Sequence, residues 1–162
     1  MIIIGYQGIG KTTVSTGGNG YIDLESGNFW VNGKRDEKWY IPYCNIAGNL
    51  SEQGYNVFVS SHAVVREQLR NSNQRKLIVC PSLGLKDAWI ERLRARYDAT
   101  RAGKDYRALM NAEDRYVENI SVLLADDAFE HVVIQTMPYG LIRLIQGRVE
   151  KETALGKRGG GE

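Results

Sequence analysis

Lys11 and Thr12 close the stretch Gly5-Tyr6-Gln7-Gly8-Ile9-Gly10-Lys11-Thr12, which fits G-x-x-x-x-G-K-[ST] without a mismatch. The chemistry of that spacing is phosphate binding. Glycines let the backbone curl until successive N–H groups point inward and make a nest for anionic oxygens. A helix opening at about Gly10 turns its positive end toward the same anion. Lys11 then reaches the outer phosphates of a nucleotide, and the Thr12 hydroxyl ligates Mg²⁺. The apolar run Ile2-Ile3-Ile4 supplies the buried strand that such a loop must follow. Pattern and context together point to a site for ATP or GTP rather than to a Gly-rich turn with an incidental lysine.

Other residues can join that chemistry. Tyr21-Ile22-Asp23-Leu24-Glu25-Ser26 is an apolar run ending in acid. Asp23 and Glu25 alternate with Leu24 and so share one side of a strand. One would hold a Mg²⁺-bound water and the other a hydroxyl of a phosphate acceptor; alternatively both decorate a solvated strand end. Phe29 and Trp30 follow at once and either stack on an acceptor base or join the core. Arg92 and Arg96 are four apart and flank one side of a helical stripe formed by Leu85, Trp89, Leu93 and Tyr97. Beyond them lie a polar, Gly-containing segment from Tyr97 to Asp105 and the arginines Arg101, Arg107 and Arg115. Phosphoryl transfer asks the protein mainly for positive charge around the moving group. Two arginine-bearing helices joined by a polar connection meet that need as a closing lid, over about residues 96–107. His62, at the end of another apolar run, either touches an acceptor phosphate or caps a helix.

The elements that must position these groups can be read from periodicity. Ile2–Ile4, Tyr21–Leu24, Asn56–Ser60, Lys76–Cys80 and His131–Gln135 read as strands buried on both faces. Helical patterns fall between most of them: Lys11 to Thr16, Asp36 to Gln53, Ala63 to Arg70, a stretch from near Leu85, Tyr106 to Leu124, and Leu141 to Val149. In the second, Pro42 demands a kink or a later start. The expected fold is a three-layer α/β phosphate-loop domain over residues 1–150, with a five-stranded parallel sheet and helices on both faces. Residues 151–162, ending Gly159-Gly160-Gly161-Glu162, read as a flexible tail.

Composition sets the outer bounds. The 162 residues suit one domain, and 43% hydrophobic with 25% charged content is ordinary for a globular protein. A net charge of +2 is too small to argue for a nucleic-acid or membrane surface. No apolar stretch reaches the length of a membrane span, and the start lacks a basic secretory leader. Cys44 and Cys80 lie inside apolar segments and read as buried thiols in a reducing, cytoplasmic setting. A guanine-reading N-K-x-D is missing, and the strands ending in Ser60-Ser61, Cys80-Pro81 and Gln135-Thr136 lack the acid of motor-type ATPases.

On Gly5–Thr13, Tyr21–Trp30, Val57–Arg66 and Leu77–Arg115, the chain resembles the small nucleoside monophosphate kinases, especially the compact phage-encoded deoxynucleoside monophosphate kinase-like proteins. Ile78-Val79-Cys80-Pro81-Ser82, then Lys86-Asp87-Ala88-Trp89 and Arg92 to Tyr97, looks like that group's passage into its lid. The resemblance implies ATP on Gly8, Gly10, Lys11, Thr12 and Thr13; Ile9 belongs to the same loop, and the motif and the strand end put Mg²⁺ on Thr12 and Asp23. It implies Arg66 against the acceptor phosphate, Arg92 and Arg96 entering the lid, Arg107 or Arg115 returning from it, and Pro138 and Tyr139 beside the adenine. The acceptor would be a nucleoside or deoxynucleoside monophosphate, handled by a monomer or homodimer with no nucleic-acid or membrane partner. The chain departs from that pattern at Ser60-Ser61-His62, where many such kinases carry an acidic or Gly-Phe-Pro-Arg-like element, and at Gly17-Gly18, which clips the first helix. Another small-metabolite or nucleic-acid 5′-end acceptor, or a nucleotide switch without transfer, are the competing expectations.

Overall fold

Ile2, Ile3 and Ile4 are wholly buried, and their strand β1 (Ile2–Gly5) is the middle of the sheet. A strand buried on both faces has no polar side, which is why this run carries no alternation. Each such isoleucine contributes about 1.5–3 kcal/mol by leaving water. A computed structural model describes residues 1–158. Its other sheet strands are β2 (Tyr21–Asp23), β5 (Asn56–Ser60), β6 (Lys76–Pro81) and β7 (Glu130–Ile134). All are parallel, in the order β2-β5-β1-β6-β7. The chain order thus reverses around β1, and an α/β sheet opens its ligand crevice at the carboxyl ends beside such a reversal.

Helices α1 (Lys11–Ser15), α2 (Tyr40–Glu52), α3 (Ala63–Arg70), α4 (Lys86–Thr100), α5 (Gly103–Leu124) and α6 (Leu141–Arg158) complete the domain. With β6 also buried from Leu77 to Pro81, the whole fits a three-layer α/β arrangement. α2 starts late, at Tyr40, so Pro42 falls in its first turn, where a missing N–H costs nothing. The stripe on α4 faces inward as expected, with Trp89 and Leu93 buried. On α5 the buried line is Leu109, Ala112, Tyr116, Ile120 and Leu123. Val117, expected inside, is 51% exposed because it stands one residue off that line.

Three features differ from the sequence expectation. A hairpin of β3 (Trp30–Val31) and β4 (Lys34–Arg35) follows a 3₁₀ turn over Ser26–Phe29. Its Asn32-Gly33 tip has φ of 50° and 76°, the left-handed pair that a tight hairpin turn demands. The polar connection expected between α4 and α5 shrinks to Arg101 and Ala102, with Arg101 in the left-handed position that ends α4. α6 continues past Val149 to Arg158, while residues 159–162 of the expected tail lie outside the described residues. No helix among the described residues is long and apolar enough to cross a membrane. Cys44 and Cys80 are free and buried, and burial pushes the Cys80 thiol up to about 12.

Candidate functional site

The glycine loop leaves the carboxyl end of β1 and is fastened from beneath. Gly8 and Gly10 have φ of 83° and 97°, which side chains rarely tolerate. At Gly8 a Cβ would also meet Leu93 Cδ2 at 2.9 Å. A Cβ on Gly5 would strike Ile9 Cδ1 at 2.6 Å, so the loop closes over a bare backbone. The buried Trp89 indole donates to the Gln7 carbonyl at 3.0 Å, and the Tyr139 hydroxyl donates to the Ile9 carbonyl at 2.9 Å. Trp89 and Tyr139 stack at 6.0 Å. Gln7 Nε2 donates to the Ala108 carbonyl at 2.9 Å, tying the loop to α5. Two carbonyls of the loop, those of Gln7 and Ile9, are therefore held from outside it. A loop whose carbonyls are occupied elsewhere is pre-set to offer its N–H groups to an anion.

Lys11 and Thr12 open α1 at the mouth of this loop. Thr12 Oγ1 donates to Asp23 Oδ2 at 2.7 Å, joining the first helix to the end of β2. Lys11 Nζ donates to the Gly5 carbonyl at 3.2 Å. Burial pushes the Lys11 pKa down; Asp23 and Glu25 push it back up, and Arg96 adds to the lowering. An ammonium desolvated in this way gains from an arriving phosphate. Glu25 also pairs with Lys104 of α5 at 3.7 Å. Thr13 is exposed beside Thr12.

For Mg²⁺ the available donors are the Thr12 hydroxyl and the Asp23 carboxylate. No group of three or more His, Cys, Asp or Glu gathers for a metal among the described residues. This set fits an ion that keeps its waters and takes phosphate oxygens, as Mg²⁺ prefers, and does not fit an all-protein cage.

The arginines of α4 divide the work. Arg92 Nε donates to the Gly8 carbonyl at 2.9 Å, and its guanidinium lies 5.7 Å from the Trp89 ring and 5.6 Å from Tyr139. Arg96 pairs with Asp105 at 2.7 Å. Asp105 is 2% exposed and also accepts from Thr100 Oγ1 at 2.5 Å. That triad, with a Tyr97–Tyr106 ring contact at 5.4 Å, makes the α4–α5 corner a braced helical hairpin instead of an open loop. Arg107 is exposed on α5, with no ion pair among the described residues. Arg115 pairs with Glu118 at the one non-helical residue of α5. Pro138 is exposed, and its neighbour Tyr139 is the residue of that turn which meets the loop.

On the β2 side the expectations separate. Phe29 turns inward, packing on Tyr43 at 5.4 Å and Trp39 at 6.3 Å. Trp30 is 53% exposed and lies over the Arg35 guanidinium. Tyr43 ties the ends of β2 and β5 together, donating to the Leu24 carbonyl at 2.7 Å and accepting from Ser60 N at 2.9 Å. His62 Nδ1 meets Ser60 Oγ at 2.7 Å, and its ring abuts Trp39 at 5.5 Å. Desolvation lowers the His62 pKa, and the charges of Arg35 and Lys11 lower it further.

Arg66 takes a different place from the acceptor contact expected of it. Its Nε pairs with Asp126 at 3.1 Å and its Nη1 donates to the Ser61 carbonyl at 2.7 Å. The pair is 11% and 7% exposed, a buried tie between α3 and the turn before β7. With Nε and Nη1 both bonded and its side chain 11% exposed, this guanidinium is turned into the fold, whereas Arg96 stays 43% exposed beside its own carboxylate. Arg35 was overlooked in the sequence. The signal for it was Asn32-Gly33, the hairpin dipeptide that brings Arg35 back across from Trp30. Neither protein-family models nor curated proteins of known function give a match to this chain.

Proposed function

We propose that this domain is an ATP-dependent, phosphate-loop kinase that transfers a phosphoryl group to a nucleoside or deoxynucleoside monophosphate. One observation carries the reading: Lys11, Thr12, Asp23 and Arg92 converge on a single loop, pre-set by its own anchors, at the carboxyl edge where the strand order reverses. In this reading the loop N–H groups and Lys11 hold the donor phosphates. Thr12 and Asp23 supply the protein's share of a Mg²⁺ site, and the ion would neutralise phosphate charge there. Arg92 and Arg96, with Arg107, provide positive charge from the α4–α5 side, which acts as a braced lid. Asp23 is already engaged by Thr12, which favours an acceptor that arrives as an anion over a hydroxyl acceptor needing Asp23 as its base.

The test is ADP release with ATP and Mg²⁺ against a full panel of ribo- and deoxyribonucleoside monophosphates, with Lys11→Ala alongside. Stimulation by one or a few monophosphates, reduced about 10²–10³-fold or more in the variant, is the expected outcome. A flat panel over intact ATP binding would overturn the reading and leave a nucleotide-binding protein without transfer.

A further inference from the structure

We infer that Arg35, clamped on the β3–β4 hairpin between Trp30 and Trp39, is the residue that binds the phosphomonoester of the acceptor; this rests on the kinase reading above. The guanidinium lies 4.0 Å from the centre of the Trp39 ring and 5.2 Å from that of Trp30. Its Nη2 donates to the Ser26 carbonyl at 2.9 Å and meets Ser26 Oγ at 3.2 Å. Those contacts fix the plane of the fork and use one of its three nitrogens. Nε is buried with no hydrogen-bond partner. Nη1 has no partner among the described residues either, and it is not buried. A cation held rigidly with its Nη1 edge open suits a doubly charged, multi-oxygen anion.

The hairpin is placed to deliver that anion to the loop. Gly5 of β1 lies in register with Ser60 of β5. Ser60 holds His62, His62 abuts Trp39, and Trp39 carries Arg35. The chain of contacts leads from the phosphate loop to the guanidinium across one strand. Arg107 stands one turn beyond Lys104 on α5, and Lys104 pairs with Glu25, the neighbour of the Ser26 that Arg35 holds. An anion on the Arg35 fork at this edge would also gain from the charge of Arg107. Of the nearby acids, Glu25 pairs with Lys104 and Asp23 accepts from the Thr12 hydroxyl, and Arg35 has no ion pair among the described residues. Arg66, the alternative cation, is locked on Asp126.

Calorimetric binding to the full chain, with a non-hydrolysable ATP analogue and Mg²⁺ present, tests the assignment separately from turnover. The ligands are the nucleoside monophosphates, the matching nucleosides and ribose 5-phosphate. The proteins are the wild type, Arg35→Lys, Arg107→Gln and, as a control on the same hairpin, Lys34→Ala. We expect one or more monophosphates to bind at least 10-fold more tightly than their nucleosides. Arg35→Lys should lose at least 10-fold of that affinity, because an ammonium cannot reproduce the stacked fork. Arg107→Gln, on an exposed helical position that cannot unfold the hairpin, should lose several-fold. ATP-analogue affinity should stay within twofold in Arg35→Lys, and Lys34→Ala should match the wild type for every ligand. Retention of ribose 5-phosphate with the same Arg35 dependence would identify a sugar phosphate as sufficient. Arg35-dependent binding without ADP release would keep this inference and remove the kinase reading. ADP release with unchanged monophosphate affinity in Arg35→Lys would do the reverse, and no binding of any phosphomonoester would remove both.

Discussion

Arg66 and Arg35 show how little residue type says about role. Both are arginines near the carboxyl edge of the sheet, and each has a carboxylate or aromatic neighbour that decides its use. Arg66 faces a carboxylate that is 7% exposed, so charge pairing wins. Replacing it with alanine should destabilise the fold by about 3 kcal/mol, the low end for a broken buried pair, because Arg70 still reaches Asp126 at 3.1 Å. Urea denaturation measures that loss, and the Michaelis constant for the acceptor should not move in the folded fraction. A stable Arg66→Ala protein with a raised acceptor constant would return Arg66 to the ligand. Arg35 faces indole rings instead, which orient its charge without neutralising it.

At the scale of elements, the α4–α5 corner departs most from the expectation of a flexible lid. Asp105 serves two purposes there: it lies in the first turn of α5, where a negative charge suits the helix, and it holds Arg96 and Thr100 of α4. Asp105→Ala would leave a helix start without its acid and Arg96 without its anchor. We expect a stability loss of about 1–3 kcal/mol and faster amide exchange confined to the corner around residues 97–107. Transfer should slow as well, since Arg96 would no longer be aimed. Uniform exchange along the whole chain would show instead that Asp105 supports the core. The hairpin makes the complementary point. Two residues per strand cannot stand alone, so Phe29 packing on Tyr43 and Trp39 is what docks it.

For the whole molecule, the site concentrates positive charge that folding partly desolvates. His62 and Lys11 both have folded pKa values below their ordinary ones. The sign follows directly: the unfolded chain binds the proton more readily, so stability rises with pH through each window. For His62 that window begins near its usual value of about 6.5 and runs downward. Wild-type stability should therefore fall relative to His62→Asn as pH drops from about 7.5 to 5.5, measured by urea denaturation at each pH. A difference that stays constant across that range would mean His62 pays no such penalty. An anion bound at this edge would oppose the lowering at both groups, since its charge favours their protonated forms.

The glycine-lysine-threonine spacing raises the expectation of phosphate binding, and Gly8 and Gly10 take the left-handed backbone that expectation requires. The five buried runs name a parallel sheet because strands covered on both faces cannot alternate. The stripe at Trp89 and Leu93 names the inner face of α4 because residues four apart share one side of a helix. The partners of each charge were not readable. Whether Asp23 would meet Thr12 depends on β2 reaching the edge beside β5, a separation along the chain that periodicity does not encode. Arg66 and Asp126 are 60 residues apart, and their burial together is a property of packed layers. Side-chain type sets what a residue can do; the low-dielectric neighbours assembled by the fold decide which of those things it does.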